Sequence, residues 1–419
     1  MKQLAIIALF FIGCIQTSCS QKTITPSEWL IENTIELQPD GTYDFSQLKE
    51  VLKNKRIIAL GESSHGLGKY YEMKSELAIF LHKEMGFEVL AMEGGLGDIN
   101  LAYVDLDTIS PKKLRDYTLF GNFKAQELDT LFHYIKETST SENPLIYAGY
   151  DTQFSSNYFT TKMVRLLAPL NKTMSDSFAT RIYSFQKSFQ AARANDSTAY
   201  IKHRDIYVKN ATDASQLIKE NKEFLIQSKT LTEEEYVLIQ RTLDMFVRST
   251  DVSYADRFMT LTLRDELMAE NIIWLLDEVY PDKKIIVWAH NGHVEKGAAE
   301  GYHAKLMGHY LKEKYKDDYY AIGLFTYEGE AYQFWTGTTT PFTNNDSTAI
   351  EHTFFKTQKE VAFLDLSDLQ QTPATQQLFE VKTGFELENG GTIPFIPTHR
   401  FDGIISVKTS RIPTYDKRE

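Results

Sequence analysis

Arg56-Ile-Ile-Ala-Leu-Gly-Glu-Ser-Ser-His65-Gly66 is the stretch on which the reading of this chain turns. A short apolar run, Ile57 to Leu60, leads directly into Gly61-Glu62, two serines and His65-Gly66. Buried strands of an open α/β sheet carry their chemistry on the loops at their C-terminal ends. Glu62 and His65 bury no apolar surface, so packing does not account for them. Beyond the loop the pattern turns helical from Lys69 to Met85, where Tyr71, Leu77, Ile79, Phe80 and Leu81 follow an approximate 3.6-residue period. Gly86 suits a helix stop. Phe87-Glu-Val-Leu-Ala-Met-Glu93 reads as a second strand, ended by Gly94-Gly95. Strand, helix and strand with short joins make a βαβ unit, so the two strands are expected to be parallel.

Working outward, Phe45 to Leu52 suggests a short helix before the first strand, and Leu145 to Asp151 another strand ending in a carboxylate. From 155 to 280 the chain changes to long, charged, amphipathic helical patterns. Sheet signals resume at Lys284-Ile-Ile-Val-Trp-Ala-His290, then a helix near Tyr302 to Tyr315, a strand from Tyr319 to Tyr327 and a closing strand from Phe401 to Lys408. Residues 335 to 400 are rich in Thr, Pro and Gly and give no clear pattern. The expected fold is α/β, a mostly parallel central sheet flanked by helices. Its core spans 25–154 and 281–410, and 155–280 forms a helical insertion or cap.

The bulk composition limits the partners. A chain of 419 residues, 42% hydrophobic, is long enough for a substantial core. Its net charge of −12 argues against nucleic acid and anionic lipid as primary partners. At the N-terminus, Lys2 and the apolar run Leu4 to Ile15 read as a signal peptide over residues 1–20, too short to span a bilayer well. Cys14 and Cys19 each partly resemble a lipoprotein cleavage site, with Cys19 at the better distance from the apolar run. The expectation is an exported bacterial protein, periplasmic or held to the membrane only by an N-terminal lipid, and acting as a monomer. With both cysteines in the leader, no disulfide or thiolate chemistry is expected of the remainder.

Four strands end in ionisable residues: Glu62 with His65, Glu93, Asp151, and His290 with His293. Parallel strands present those ends on one edge, so these groups are candidates for a single site. His65 precedes a helix N-terminus, whose partial positive charge keeps an imidazole neutral, as a general base requires. Glu62 or Glu93 would orient that ring; the alternative is a histidine that merely caps the helix. Ser63 and Ser64 lack a G-x-S-x-G elbow and read as turn residues, leaving water as the nucleophile. His290-Asn-Gly-His293 places two histidines on a turn, either as metal ligands completed by Glu62, His65 and Glu93, or as one structural and one functional residue. Lys74 is a candidate to hold an oxyanion or to fix Glu93. Arg264-Asp265, Tyr150 and Asp151 have less context around them.

The chain resembles the erythromycin esterase family. The blocks are Leu60 to Gly66 with Tyr71-Glu72, Gly86 to Glu93, Gly149-Tyr-Asp151, Arg264 to Asn271, Trp288 to His293 and Arg400-Phe-Asp-Gly403. The resemblance implies hydrolysis of a macrolactone ester without metal or cofactor. His65 would act as base on water, with Glu62, Glu93 and His290 completing the site. Lys74, His293 and Asp151 are expected to face the small-molecule ester substrate. The family pattern has an arginine where this chain carries Lys74, a point charge without the bidentate fork. Two other readings stand beside it: a metal-dependent hydrolase using His290, His293 and the glutamates, and a non-enzymatic lipoprotein binding a haem-like ligand.

Overall fold

The computed structural model describes residues 24–194, 196–250, 257–297, 304–334, 336–386 and 391–416, so the leader with Cys14 and Cys19 lies outside the described residues. Within them the strands are β1 (Ile35–Glu36), β2 (Ile57–Leu60), β3 (Phe87–Gly95), β4 (Ile146–Asp151), β5 (Lys284–Trp288), β6 (Tyr319–Gln333), β7 (Thr338–Thr343), β8 (Val361–Asp365), β9 (Lys382–Glu386), β10 (Gly391–Phe395) and β11 (Gly403–Ser410). The central sheet runs β1-β8-β11-β6-β2-β5-β3-β4, with β7 paired to β6, and β9 and β10 form a separate ribbon. The strands from β11 across to β4 are parallel. Antiparallel β8 and β1 extend the β11 edge. This is a mixed α/β fold with a mostly parallel sheet.

β2 sits in the middle of the order, and the chain reaches its two neighbours, β5 and β6, only much later. The βαβ unit expected from Arg56 to Glu93 is therefore opened: β2 and β3 are parallel, but β5 lies between them. Strand neighbours are chosen by tertiary packing after a long crossover, which chain order does not display. Ligand crevices of open α/β sheets form at the C-terminal ends of strands where the order reverses, and β2 delivers Glu62 and His65 to that position.

Side chains alternate across a strand, and the two faces bury separate cores. Ile57, Ala59, Val89, Ala91, Ile285 and Val287 face one cluster, together with Phe159, Tyr207, Ile239 and Leu243 of the helical segment. Ile58, Leu60, Leu90, Met92, Ile286 and Trp288 face the other, against Tyr71, Leu77 and Leu81 of the helix Gly68–Met85 and Phe132 of the helix Asp129–Thr138. Burial on both faces explains why β2 reads as an unbroken apolar run. Between β4 and β5 the chain is helical from Tyr158 to Val279, apart from the undescribed residues and short turns. Three of its helices start on side-chain caps: Asn171, Asp196, and Thr232 with Glu235 in a capping box. Gly86 ends the first long helix in the left-handed conformation, φ 69°. No helix among the described residues is long and apolar enough to cross a membrane.

Candidate active site

The loop after β2 is held from two sides. At Gly61 a Cβ would lie 2.1 Å from Asn291 Oδ1, so only glycine lets that side chain pass across the strand end. Asn291 uses this space to pair with both the N–H and the carbonyl of Leu324 on β6, at 3.0 Å each. Its own N–H donates to the Glu62 carbonyl. Asn291 thus ties the ends of β2, β5 and β6 together and sets the turn His290–His293 against Glu62–His65. Gly66 has φ 81° and packs where a Cβ would meet the Tyr332 carbonyl at 2.0 Å.

Glu62 is fully buried and lies between Lys74 and His65. One oxygen lies 2.7 Å from His65 Nδ1 and the other accepts from Lys74 Nζ at 2.9 Å. Lys74 is also fully buried and stacks its ammonium 4.2 Å from the centre of the Trp288 ring. Burial opposes ionisation of Glu62, but Lys74 and His65 outweigh it and hold its carboxyl below the ordinary range. Burial also pulls Lys74 down to about 8 against the attraction of Glu62, which still leaves an ammonium at neutral pH. His65 keeps 22% of its side chain exposed, so the relay runs from the interior to an open edge. Phe123 meets the His65 ring edge-on with centroids 5.2 Å apart, and His290 does so at 5.3 Å.

A second chain of charges lies behind it. β3 shifts register between Met92 and Gly95, which re-aims Glu93. Glu93 Oε1 accepts from Arg264 Nη2 at 3.0 Å and lies 3.5 Å from His293 Nε2. Its other oxygen accepts from the His290 N–H at 3.3 Å. Arg264 also forks onto both oxygens of Asp151. His293 donates from Nδ1 to Asp265, 2.7 Å away. Burial again opposes the charge on Glu93, while His293, Arg264 and His65 hold its carboxyl well below the usual range. For His293 burial works against protonation, but Asp265 and Glu93 together raise it.

Glu62, His65, Glu93, His290, His293 and Asp151 are gathered at one edge, and three of the expected roles change. Lys74 does not face a substrate: it is sealed behind Glu62, within reach of the Ala289 carbonyl at 3.5 Å. Asp151 is 1% exposed with both oxygens on Arg264, so it too supports the site from behind. His290 Nε2 lies 3.2 Å from the Ser63 carbonyl, and Nδ1 accepts from the Gly292 N–H. These contacts let the His290 ring brace the loop after β2 against its own turn. His65 does not cap the following helix, because its Nδ1 goes to Glu62. Ser63 is buried and pairs with the Tyr70 hydroxyl at 2.9 Å. Among the described residues no group of three or more His, Cys, Asp or Glu is placed to hold a metal ion.

Arg264 and Asp265 are more central than the sequence reading made them. They stand on the helix Arg257–Trp274, with buried Met268 and Ile272 one and two turns beyond Arg264. Charges in line with an apolar stripe were the available signal. Phe123 carried none.

An open parallel sheet with imidazoles and ion-paired carboxylates converging beyond its C-terminal edge defines an α/β protein with an acid–base site. The chain belongs to the erythromycin esterase family, whose model matches residues 82–410. That span takes in Glu93, Asp151, Arg264, Asp265, His290 and His293 and begins after Glu62, His65 and Lys74. Over 305 residues the chain is 28% identical to the protein named "Putative hydrolase YbfO" of Bacillus subtilis (strain 168), covering 68% of each chain. It is 24% identical to erythromycin esterase type II of Escherichia coli over 326 residues, 72% of this chain and 77% of that one. Among solved structures, a Bacillus cereus protein superposes with a TM-score of 0.71 at 20% identity, covering 94% of this chain and 98% of that one. A mutant erythromycin esterase in its open conformation gives a TM-score of 0.59 at 16% identity, covering 90% and 97%. At these identities the superpositions speak for the fold. The family membership supports a hydrolase.

Proposed function

We propose that the protein hydrolyses a carboxylic ester, with His65 drawing a proton from the attacking water. The observation that carries this reading is the relay Lys74–Glu62–His65, buried at one end and open at the other. Because Nδ1–H is held by Glu62, the lone pair of the neutral ring is on Nε2. Water gives its proton to that nitrogen as its oxygen bonds to the ester carbonyl carbon. The imidazolium then returns the proton to the alkoxide as the C–O bond breaks, releasing a carboxylic acid and an alcohol. Glu62 stabilises the imidazolium in between. His293 and Arg264 retain 13% and 15% side-chain exposure and are the groups placed to meet negative charge on the carbonyl oxygen.

The substrate class favoured is a small-molecule ester of the macrolactone kind, in keeping with the name of the Escherichia coli relative. The same reading takes the protein to be exported and monomeric, with any membrane contact made through an N-terminal lipid. The test is a panel of linear esters, lactones and macrolides, assayed with wild type and His65→Ala after dialysis against EDTA. Wild type should turn over at least one substrate, and His65→Ala should lose about 10²- to 10⁴-fold with unchanged circular dichroism. Full turnover in His65→Ala would overturn the base assignment. Activity abolished by EDTA and restored by a divalent metal would favour a metal-dependent hydrolase instead.

A further inference from the structure

Away from the catalytic edge, a cavity of about 1040 Å³ opens between the start of the helical segment and the helices that follow β3. None of Glu62, His65, Glu93, His290 or His293 lines it. Its acids already have partners. Lys162 bridges Asp105 and Glu235, and Asp116 pairs with Lys112 and Arg115. Its remaining cations do not: Lys124, Arg165 and Lys229 line the cavity with no ion-pair partner among the described residues.

In a protein of net charge −12, a lining of four cations, Lys124, Lys162, Arg165 and Lys229, against three acids, Asp105, Asp116 and Glu235, is a local reversal of sign. Two further observations mark them. Lys124 is half-buried, where a cation without a partner is disfavoured and burial lowers its affinity for the proton. Lys229 has φ 57°, the left-handed conformation at a helix C-terminus where glycine is the comfortable residue. Accessible apolar surface in the cavity comes from Val104 and the rings of Tyr117 and Tyr158. A pocket of this size with apolar walls and a few placed polar groups suits a small organic ligand.

We infer that this cavity is a second binding site, for an amphipathic carboxylate whose head meets Lys124 and whose apolar body lies along Val104, Tyr117 and Tyr158. Arg165 and Lys229 stand at its exposed rim and draw the anion in. This goes beyond the hydrolytic reading and does not depend on it, since no residue of the proposed chemistry takes part.

Calorimetric titration of the full chain with decanoate tests it, beside His65→Ala, Lys124→Met and Lys229→Gly, with inorganic phosphate as a second probe. Wild type and His65→Ala should bind decanoate equally, with one site and an affinity that falls as salt rises from 50 to 500 mM. Lys124→Met should weaken binding by about tenfold or more. Lys229→Gly should weaken it severalfold without lowering Tm, because glycine accepts the left-handed backbone; that pairing separates lost charge from lost fold. Absence of saturable binding, or affinity unchanged in both lysine variants, would overturn the inference. Binding lost in His65→Ala would place decanoate in the catalytic cleft. Phosphate binding as tightly as decanoate would overturn the apolar half of the proposal.

Discussion

Two groups of buried carboxyls flank the turn that carries His290 and His293, and they behave in opposite ways. On the side of His65, Glu62 and Glu93 are held below their ordinary range. On the far side, Glu295 is pushed up to about 8 and Glu351 up to about 7. In all four the largest influence is burial, which raises a carboxyl. What differs is the company. Glu62 has Lys74 and His65, and Glu93 has Arg264 and His293. Glu295 has Arg400, but Glu386 and Asp265 work against it. Glu351 has backbone N–H groups, that of Phe385 at 2.7 Å, and no cation, and its second oxygen has no hydrogen-bond partner among the described residues. Burial alone therefore does not set the charge of these carboxyls; the balance of charged groups around each one does.

The comparison breaks most visibly if its strongest cation is removed. Arg264→Met leaves Glu93 and Asp151 buried without their shared guanidinium. Breaking a buried pair in this way costs about 3–5 kcal/mol, which denaturant unfolding would register. Activity should fall by about 10²-fold or more in the fraction that remains folded. A variant within about 0.5 kcal/mol of wild type would mean that the charges on this edge do not hold it together.

Lys74→Met probes the relay rather than the frame. Without the ammonium, burial acts on Glu62 with only His65 opposing it, and its carboxyl should rise. The acid limb of the pH–rate profile should then move to higher pH, while the rate on the plateau falls by roughly tenfold to a hundredfold. Lys74→Arg should restore the limb if charge is what matters. A profile that keeps its shape while Tm alone drops would assign Lys74 to packing against Trp288.

Strand ends were the legible part of this site. Glu62, His65, Glu93 and the His290–His293 turn each follow a short apolar run, and parallel strands bring such ends together whatever their separation in sequence. Side-chain direction was not legible. Lys74 could be placed on the first helix, but whether its ammonium faced a substrate or the back of Glu62 depends on how that helix packs on β5. The roles of Arg264 and Asp265 were obscured because the helix bearing them belongs to a segment whose amphipathic pattern reads as packing. The stretch from 335 to 400 hid β8, since five residues, Val361 to Asp365, in a region rich in turn formers carry little periodicity. The antiparallel edge followed from β8 and was hidden with it.

The smallest effect tests the far side. Glu351 titrates at about 7 in the folded protein, against about 4.5 in the unfolded chain. Below pH 4.5 the group is protonated in both states and favours neither. Between 4.5 and 7 the unfolded chain gives up its proton first, so stability falls as pH rises, by roughly 3 kcal/mol once both states are ionised. Glu62 and Glu93 have the opposite sign, because their stabilising charge is complete above 4.5 and lost as pH falls below it. Glu351→Gln keeps an acceptor for the Phe385 N–H and removes the charge. It should therefore be stabilised by about 1–3 kcal/mol at pH 8 and unchanged at pH 4.5, read as ΔTm between the two conditions. Equal shifts at both pH values would point to packing, and no shift at pH 8 would mean that Glu351 finds a cation after all.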